Sequence, residues 1–259
     1  TLQGTASANG PYVTGLVVDG KVLPIPADTA WATGNFNRVP IMNGTTQDEG
    51  AFTASINEYF HGPLTADQYS GLVTATYSAG AGASGGLPSY PTGSVASVLA
   101  RYPASAYASP SLAYTAVGTD ATACRARRFN TLAQSWTPVY AYEFRDRNAP
   151  WYFPPLSFPH GAAHTIDIQF LFPGFHGGPG GTVSALSAPE EKLSDKLVAA
   201  WTNFMYAGDP NGRGLRNWPQ YQAPNYQYLS EDVPKLSTFT DADFTLEHQC
   251  AFWDSVLVY

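Results

Sequence analysis

The sequence predicts an α/β fold, a mostly parallel central sheet flanked by helices, and three observations carry that expectation. Val39-Pro40-Ile41-Met42-Asn43-Gly44 is short, apolar and bounded by turn formers, as a parallel strand buried on both faces would be. A second strand, Pro138-Val139-Tyr140-Ala141-Tyr142-Glu143-Phe144, follows helical patterns over 94–102 and 120–135, so helix and strand alternate. A strong helix over 189–206 comes later, with Pro189, Glu190 and Glu191 in its first turn and Gly208-Asp209-Pro210 to end it.

The remaining elements follow in order. Residues 1–38 are rich in Gly, Pro and Thr and form an irregular leading segment, with a hairpin expected around Asp19-Gly20 inside Leu16 to Pro24. Glu49 lies a few residues past the end of the first strand, where function often sits in α/β sheets. Thr65-Ala66-Asp67-Gln68 starts a helix over 64–77 that places Leu64, Tyr69, Leu72, Val73 and Thr76 on one face. Five glycines (Gly80, Gly82, Gly85, Gly86, Gly93) with Pro88 and Pro91 make 78–93 a Gly-rich loop. Aromatic and Pro-rich residues fill the loop 148–160, and a Gly-rich connection spans 173–181. A hairpin over 226–239 and a terminal helix over 243–256 complete the chain, which shows no internal repeat.

With 259 residues, 44% of them hydrophobic, the chain can bury a substantial core. Its 13 Lys and Arg face 20 Asp and Glu, and the basic residues form no run longer than Arg125-Ala126-Arg127-Arg128, which argues against a nucleic-acid partner. No apolar stretch is long enough for a membrane span, and Thr1-Leu2-Gln3-Gly4 lacks the features of a signal peptide. An initial Thr fits either a processed end or the cut edge of a larger product. Cys124 and Cys250 are too few for a disulfide scaffold or a zinc cluster, leaving one long-range disulfide or two core thiols. A bridge closing a loop of about 126 residues would constrain the unfolded chain by roughly 4 to 5 kcal/mol and would suit an oxidising compartment.

The residue types suited to catalysis are few. A general-base histidine needs a carboxylate from another strand end to fix its tautomer, and Glu49 with His164 fits that division, although Asp48 could serve in Glu49's place. His160 and His164 have the spacing of two metal ligands on a helix, but Pro159 and Gly161 oppose a helix there and no glutamate stands between them. Gly82-Ala83-Ser84-Gly85-Gly86 matches a Gly-x-Ser-x-Gly pattern, yet it follows a helix instead of a strand and lies in the Gly-rich loop. Thr1 could act as an N-terminal nucleophile, but its surroundings give that idea no support. Trp151, Tyr152, Phe153, Phe172 and Phe175 flank the histidine and read as packing before they read as pocket walls.

The segment Phe36 to Gly50, ending Thr45-Thr46-Gln47-Asp48-Glu49-Gly50, resembles the acid-bearing segment of the type-B carboxylesterases, the family of the cholinesterases and bacterial para-nitrobenzyl esterases. Gly118-Thr119-Asp120 to Cys124, Val139 to Phe144, His164-Thr165-Ile166-Asp167-Ile168-Gln169-Phe170, Trp201 to Asn211, Trp218-Pro219-Gln220-Tyr221 and Cys250-Ala251-Phe252-Trp253 are similar to family segments in family order. The resemblance implies that residues 1–259 are the C-terminal portion of one α/β-hydrolase domain. It further implies that Glu49 is the triad acid, that His164 is the general base and that Cys124 and Cys250 form a disulfide. Asp167 departs from the pattern, since the family usually has Glu at that position.

In this family the serine elbow and the oxyanion glycines precede the acid, and nothing before Glu49 matches them. The expectation is therefore a serine carboxylesterase that needs no cofactor and acts on a small-molecule ester. It is active only with an N-terminal chain that carries the Gly-x-Ser-x-Gly nucleophile and completes the sheet. The two would form a heterodimer held by noncovalent packing, secreted or extracytoplasmic, whether the division is proteolytic, genetic or a matter of how the chain is divided. The rival reading is a cholinesterase-like binding or adhesion module that has lost triad members, against which the retention of both Glu49 and His164 counts.

Overall fold

A four-stranded sheet organises the computed structural model, which describes residues 18–78, 90–172, 185–222, 227–231, 233 and 236–256. In chain order the elements are α1 (Ala27–Thr33), β1 (Ile41–Thr46), α2 (Gly50–His61), α3 (Ala66–Tyr77), α4 (Ser94–Arg101), α5 (Pro110–Ala133), β2 (Val139–Phe144), α6 (Ile168–Leu171), α7 (Ala188–Ala207), β3 (Gln227–Glu231), β4 (Ser237–Thr240), α8 (Asp241–Glu247) and α9 (Cys250–Val256). The strands lie in the order β1-β2-β3-β4. The first three run parallel, with Ile41 opposite Val139 and Ala141 opposite Tyr228, and β4 returns antiparallel along β3 as the expected hairpin. Parallel neighbours require long crossovers, and α2 to α5 form the one between β1 and β2.

Alternation along β2 divides the interior into two layers. Val139 and Ala141 pack with Tyr69, Val73, Val117 and Trp253 on one face, while Tyr140 and Phe144 pack with Phe170, Leu197 and Trp218 on the other. Both faces are covered, which is why this strand reads as a nearly continuous apolar run. Gly44 on β1 serves the second face, because a Cβ there would collide with the Tyr142 ring.

The helices with strong end signals lie where the sequence places them. Thr65 and Gln68 form a reciprocal capping box on α3, whose buried line is Tyr69, Val73 and Tyr77. Ser187 and Glu190 do the same for α7, which Gly208 ends in the left-handed conformation. Three expectations need correction. The helix expected from 120 begins at Pro110, capped by Ser109, so Asp120 is a buried mid-helix residue and not a start. The terminal helix is two helices, broken at His248 and Gln249, the latter at φ 54°. Around Asp19 there is no strand pair among the described residues; its Oδ1 accepts from the backbone N–H groups of Lys21, Val22 and Leu23, and the leading segment 1–38 contains the helix α1. Residues 79–89 of the Gly-rich loop and all of 173–181 lie outside the described residues.

Cys124 on α5 and Cys250 at the start of α9 are disulfide-bonded, which ties the C-terminus to the central helix. No helix among the described residues is long and apolar enough to cross a membrane.

Candidate active site

Glu49 is the last of the three residues between β1 and α2, just past the carboxyl end of a parallel strand. Its two oxygens have different partners. Oε1 accepts from the Thr46 backbone N–H at 2.8 Å, and Oε2 lies 2.7 Å from His164 Nδ1, 115 residues along the chain. Gly50 lets α2 start close against α5, since a Cβ there would collide with the Thr115 carbonyl, and its N–H donates to Thr119 Oγ1 at 2.9 Å. Gly50→Ala is expected to destabilise the fold by about 1 to 3 kcal/mol through overpacking at this crossing, measurable by denaturant titration. A cost near zero would show that the crossing yields freely.

His164 is carried by a turn held on both sides. Upstream, Ala162 and Ala163 are fully buried and residue 163 bridges to residue 48 in parallel. Downstream, Thr165 has φ 72°, an uncommon conformation for a β-branched residue, and its hydroxyl bonds both the His164 carbonyl and Tyr152 OH. Asp48 is excluded as the histidine's acid because both of its oxygens are engaged. Arg147 donates to Oδ1 and Oδ2 at 2.8 Å each, and the Ala162 N–H donates to Oδ2.

The hydrogen bond that the ring donates to Glu49 holds the His164 pKa above the ordinary value, against the opposing effect of burial. The carboxylate requires a proton on Nδ1, so the neutral ring carries its lone pair on Nε2, which no described residue bonds. The imidazole side chain is 55% exposed over an acid that is 11% exposed. Asp167 is close enough to sense both groups. Burial first, then the Glu49 charge, pushes its carboxyl up to about 6.

Glu49 and His164 share the wall of a cavity of about 810 Å³ with Gly44 and Thr45 of β1, Trp31 of α1 and Phe129 of α5. The aromatic residues around the histidine mostly pack. Trp151 stacks on His160, and Phe153 meets Phe52 and Tyr59 edge-on. Phe52, which no local pattern in the sequence marks, puts its ring 5.5 Å from the His164 ring. His160 does not join His164, since it stacks on Trp151 and its Nδ1 lies against the Gly161 carbonyl. Ser84, Thr1 and Phe175 lie outside the described residues.

A second histidine and carboxylate group has no signal in the sequence. His248, 2% exposed, has Nδ1 at 3.1 Å from Asp120 and Nε2 at 2.6 Å from Glu143. Among the described residues only Glu143, Glu247 and His248 converge closely enough to hold a cation, and Arg145 already pairs with both of those glutamates. Two carboxylates on one buried imidazole make a structural cation and not a base.

Comparison with known proteins adds to this geometry. The family model described as "Carboxylesterase family" matches residues 2–253. The chain is 34% identical over 125 residues to the human (Homo sapiens) protein named cocaine esterase, covering 48% of this chain and 20% of that one. To mouse (Mus musculus) carboxylesterase 5A it is 43% identical over 101 residues, 37% of this chain and 16% of that one. A solved thermophilic PNB esterase superposes with TM-score 0.62 at 21% identity, over 90% of this chain and 42% of that chain. The matches thus span about a fifth of the length of the curated relatives.

Proposed function

The chain belongs to the carboxylesterase family, and we propose that it supplies the acid and the general base of a Ser-Glu-His triad in a carboxylic ester hydrolase. The serine stands on an N-terminal polypeptide outside residues 1–259. The observation that carries this reading is the 2.7 Å contact between His164 Nδ1 and Glu49 Oε2, with the acid largely covered and the imidazole at the cavity.

In that reaction the Nε2 lone pair takes the proton from the serine hydroxyl as the oxygen attacks the ester carbonyl. Glu49 stabilises the imidazolium that forms, and His164 returns the proton to the leaving alcohol. A water activated at the same nitrogen then hydrolyses the acyl-enzyme. The position of β1 supports a separate source for the serine: among the described residues it is an edge strand of the sheet, and its residues Asn43, Gly44 and Thr45 line the cavity that Glu49 and His164 share. The polypeptide bearing the nucleophile docks on that edge, which also removes an open strand from solvent. The disulfide between Cys124 and Cys250 supports a secreted or extracytoplasmic location.

A serine-reactive phosphonate tests the division of labour. Peptide mapping of the labelled, purified protein is expected to find the adduct on a Gly-x-Ser-x-Gly serine outside residues 1–259. An adduct on Ser84, or no adduct in any co-purifying polypeptide, would defeat the reading.

A further inference from the structure

The separation of Glu49 and His164 is fixed by a tie between their neighbours. The Asp48 N–H donates to the Ala162 carbonyl at 2.9 Å, and the Ala162 N–H donates back to Asp48 Oδ2 at 2.8 Å. This closed pair of bonds joins residue 48 to residue 162, one residue before the acid and two before the base. Gly161 makes room for it, having φ 59° and no Cβ to collide with the Asp48 carboxylate. Arg147 then grips both oxygens of that carboxylate, which holds it in one rotamer. The three residues of Asp48-Glu49-Gly50 thus act differently, in that Asp48 ties the histidine turn, Glu49 bonds the ring and Gly50 seats the helix.

We propose that Asp48, locked by Arg147, is the positioning residue that sets the hydrogen bond between Glu49 and His164; this inference rests on the triad reading above. Asp48 does not touch the imidazole and acts through the backbone at Ala162. A displacement of about 1 Å at a reacting group is enough to cost about 100-fold in rate, so a loosened tie is felt in turnover before it is felt in substrate binding.

The experiment is a ring-nitrogen NMR titration of His164 with matched steady-state kinetics, in the intact protein that carries this chain, with His164→Ala to assign the resonance. Asp48→Asn and Arg147→Met are compared with wild type. The groups facing His164 are Glu49 and Asp167, and the raised pKa of His164 depends first on the Glu49 bond. Loosening that bond lowers the midpoint in both variants, with kcat down about 10- to 100-fold and KM little changed. The two variants separate position from charge, because losing the Arg147 cation would by itself raise the midpoint. A midpoint unchanged in Asp48→Asn, or raised in Arg147→Met, overturns the inference. Should Asp48→Asn fail to fold, Arg147→Met decides alone. Lowered midpoints in a protein whose wild type hydrolyses no ester would leave the tie standing and remove the esterase reading instead.

Discussion

Glu49→Gln is expected to reduce ester turnover by about four orders of magnitude, and His164→Ala by about six. The glutamine result follows from the division of labour between the two Glu49 oxygens. Oε1 accepts from the Thr46 N–H, so in the variant the amide oxygen must stay there, which leaves the NH₂ facing His164 Nδ1. Two donors cannot share that line, and the ring responds by moving its proton to Nε2. The nitrogen that should take the serine proton is then already protonated. The amide also cannot stabilise an imidazolium. The pH profile adds an independent check. Activity needs the neutral imidazole, so it rises with pH through the His164 pKa, and the Glu49 bond places that limb above the ordinary histidine value of about 6.5. In Glu49→Gln the limb moves to lower pH. Turnover near wild type in either variant would remove that residue from the triad.

Features of the fold are legible in the sequence where their cause is local. The capping boxes at Thr65 and Ser187 act within four residues, and both helices begin where expected. The start of α5 is misread because Gly118-Thr119-Asp120 looks like a helix start, whereas Gly118 is a packing residue against Gly50. A close approach of two helices from distant parts of the chain leaves no local pattern. The broken terminal helix has a similar cause, since His248 turns inward to partners on α5 and β2 while Cys250 reaches Cys124. In the site, Glu49 and His164 are recognisable through the resemblance of the segments around them. The sequence offers Asp48 only as a substitute acid, because nothing local reveals that Ala162 and Arg147 occupy its carboxylate.

The largest stability effect is expected at His248. Its ring joins Asp120 of α5 to Glu143 of β2, and burial, which alone would lower its pKa, is outweighed by those two carboxylates, leaving it at about 9. Tyr102 and Gln249 also bond Asp120, and Arg145 pairs with Glu143. His248→Gln removes the cation while both carboxylates stay buried, a change that costs about 3 to 5 kcal/mol. The pH dependence has a definite sign. The folded pKa lies above the unfolded value of about 6.5, so the contribution is complete below about 6.5 and is lost as pH rises through about 9. Urea titrations across that window should show wild-type stability falling toward the variant, with the two curves converging at the alkaline end. Parallel curves would mean that the ring is neutral in the folded protein. Reduction of the disulfide offers a control on the assignment, since the bond between Cys124 and Cys250 acts chiefly by restricting the unfolded chain. Reduced protein should be less stable at every pH yet keep the same slope between about 6.5 and 8, where only the folded state holds the imidazolium and the two freed thiols, with an ordinary pKa of about 8.5, are still protonated.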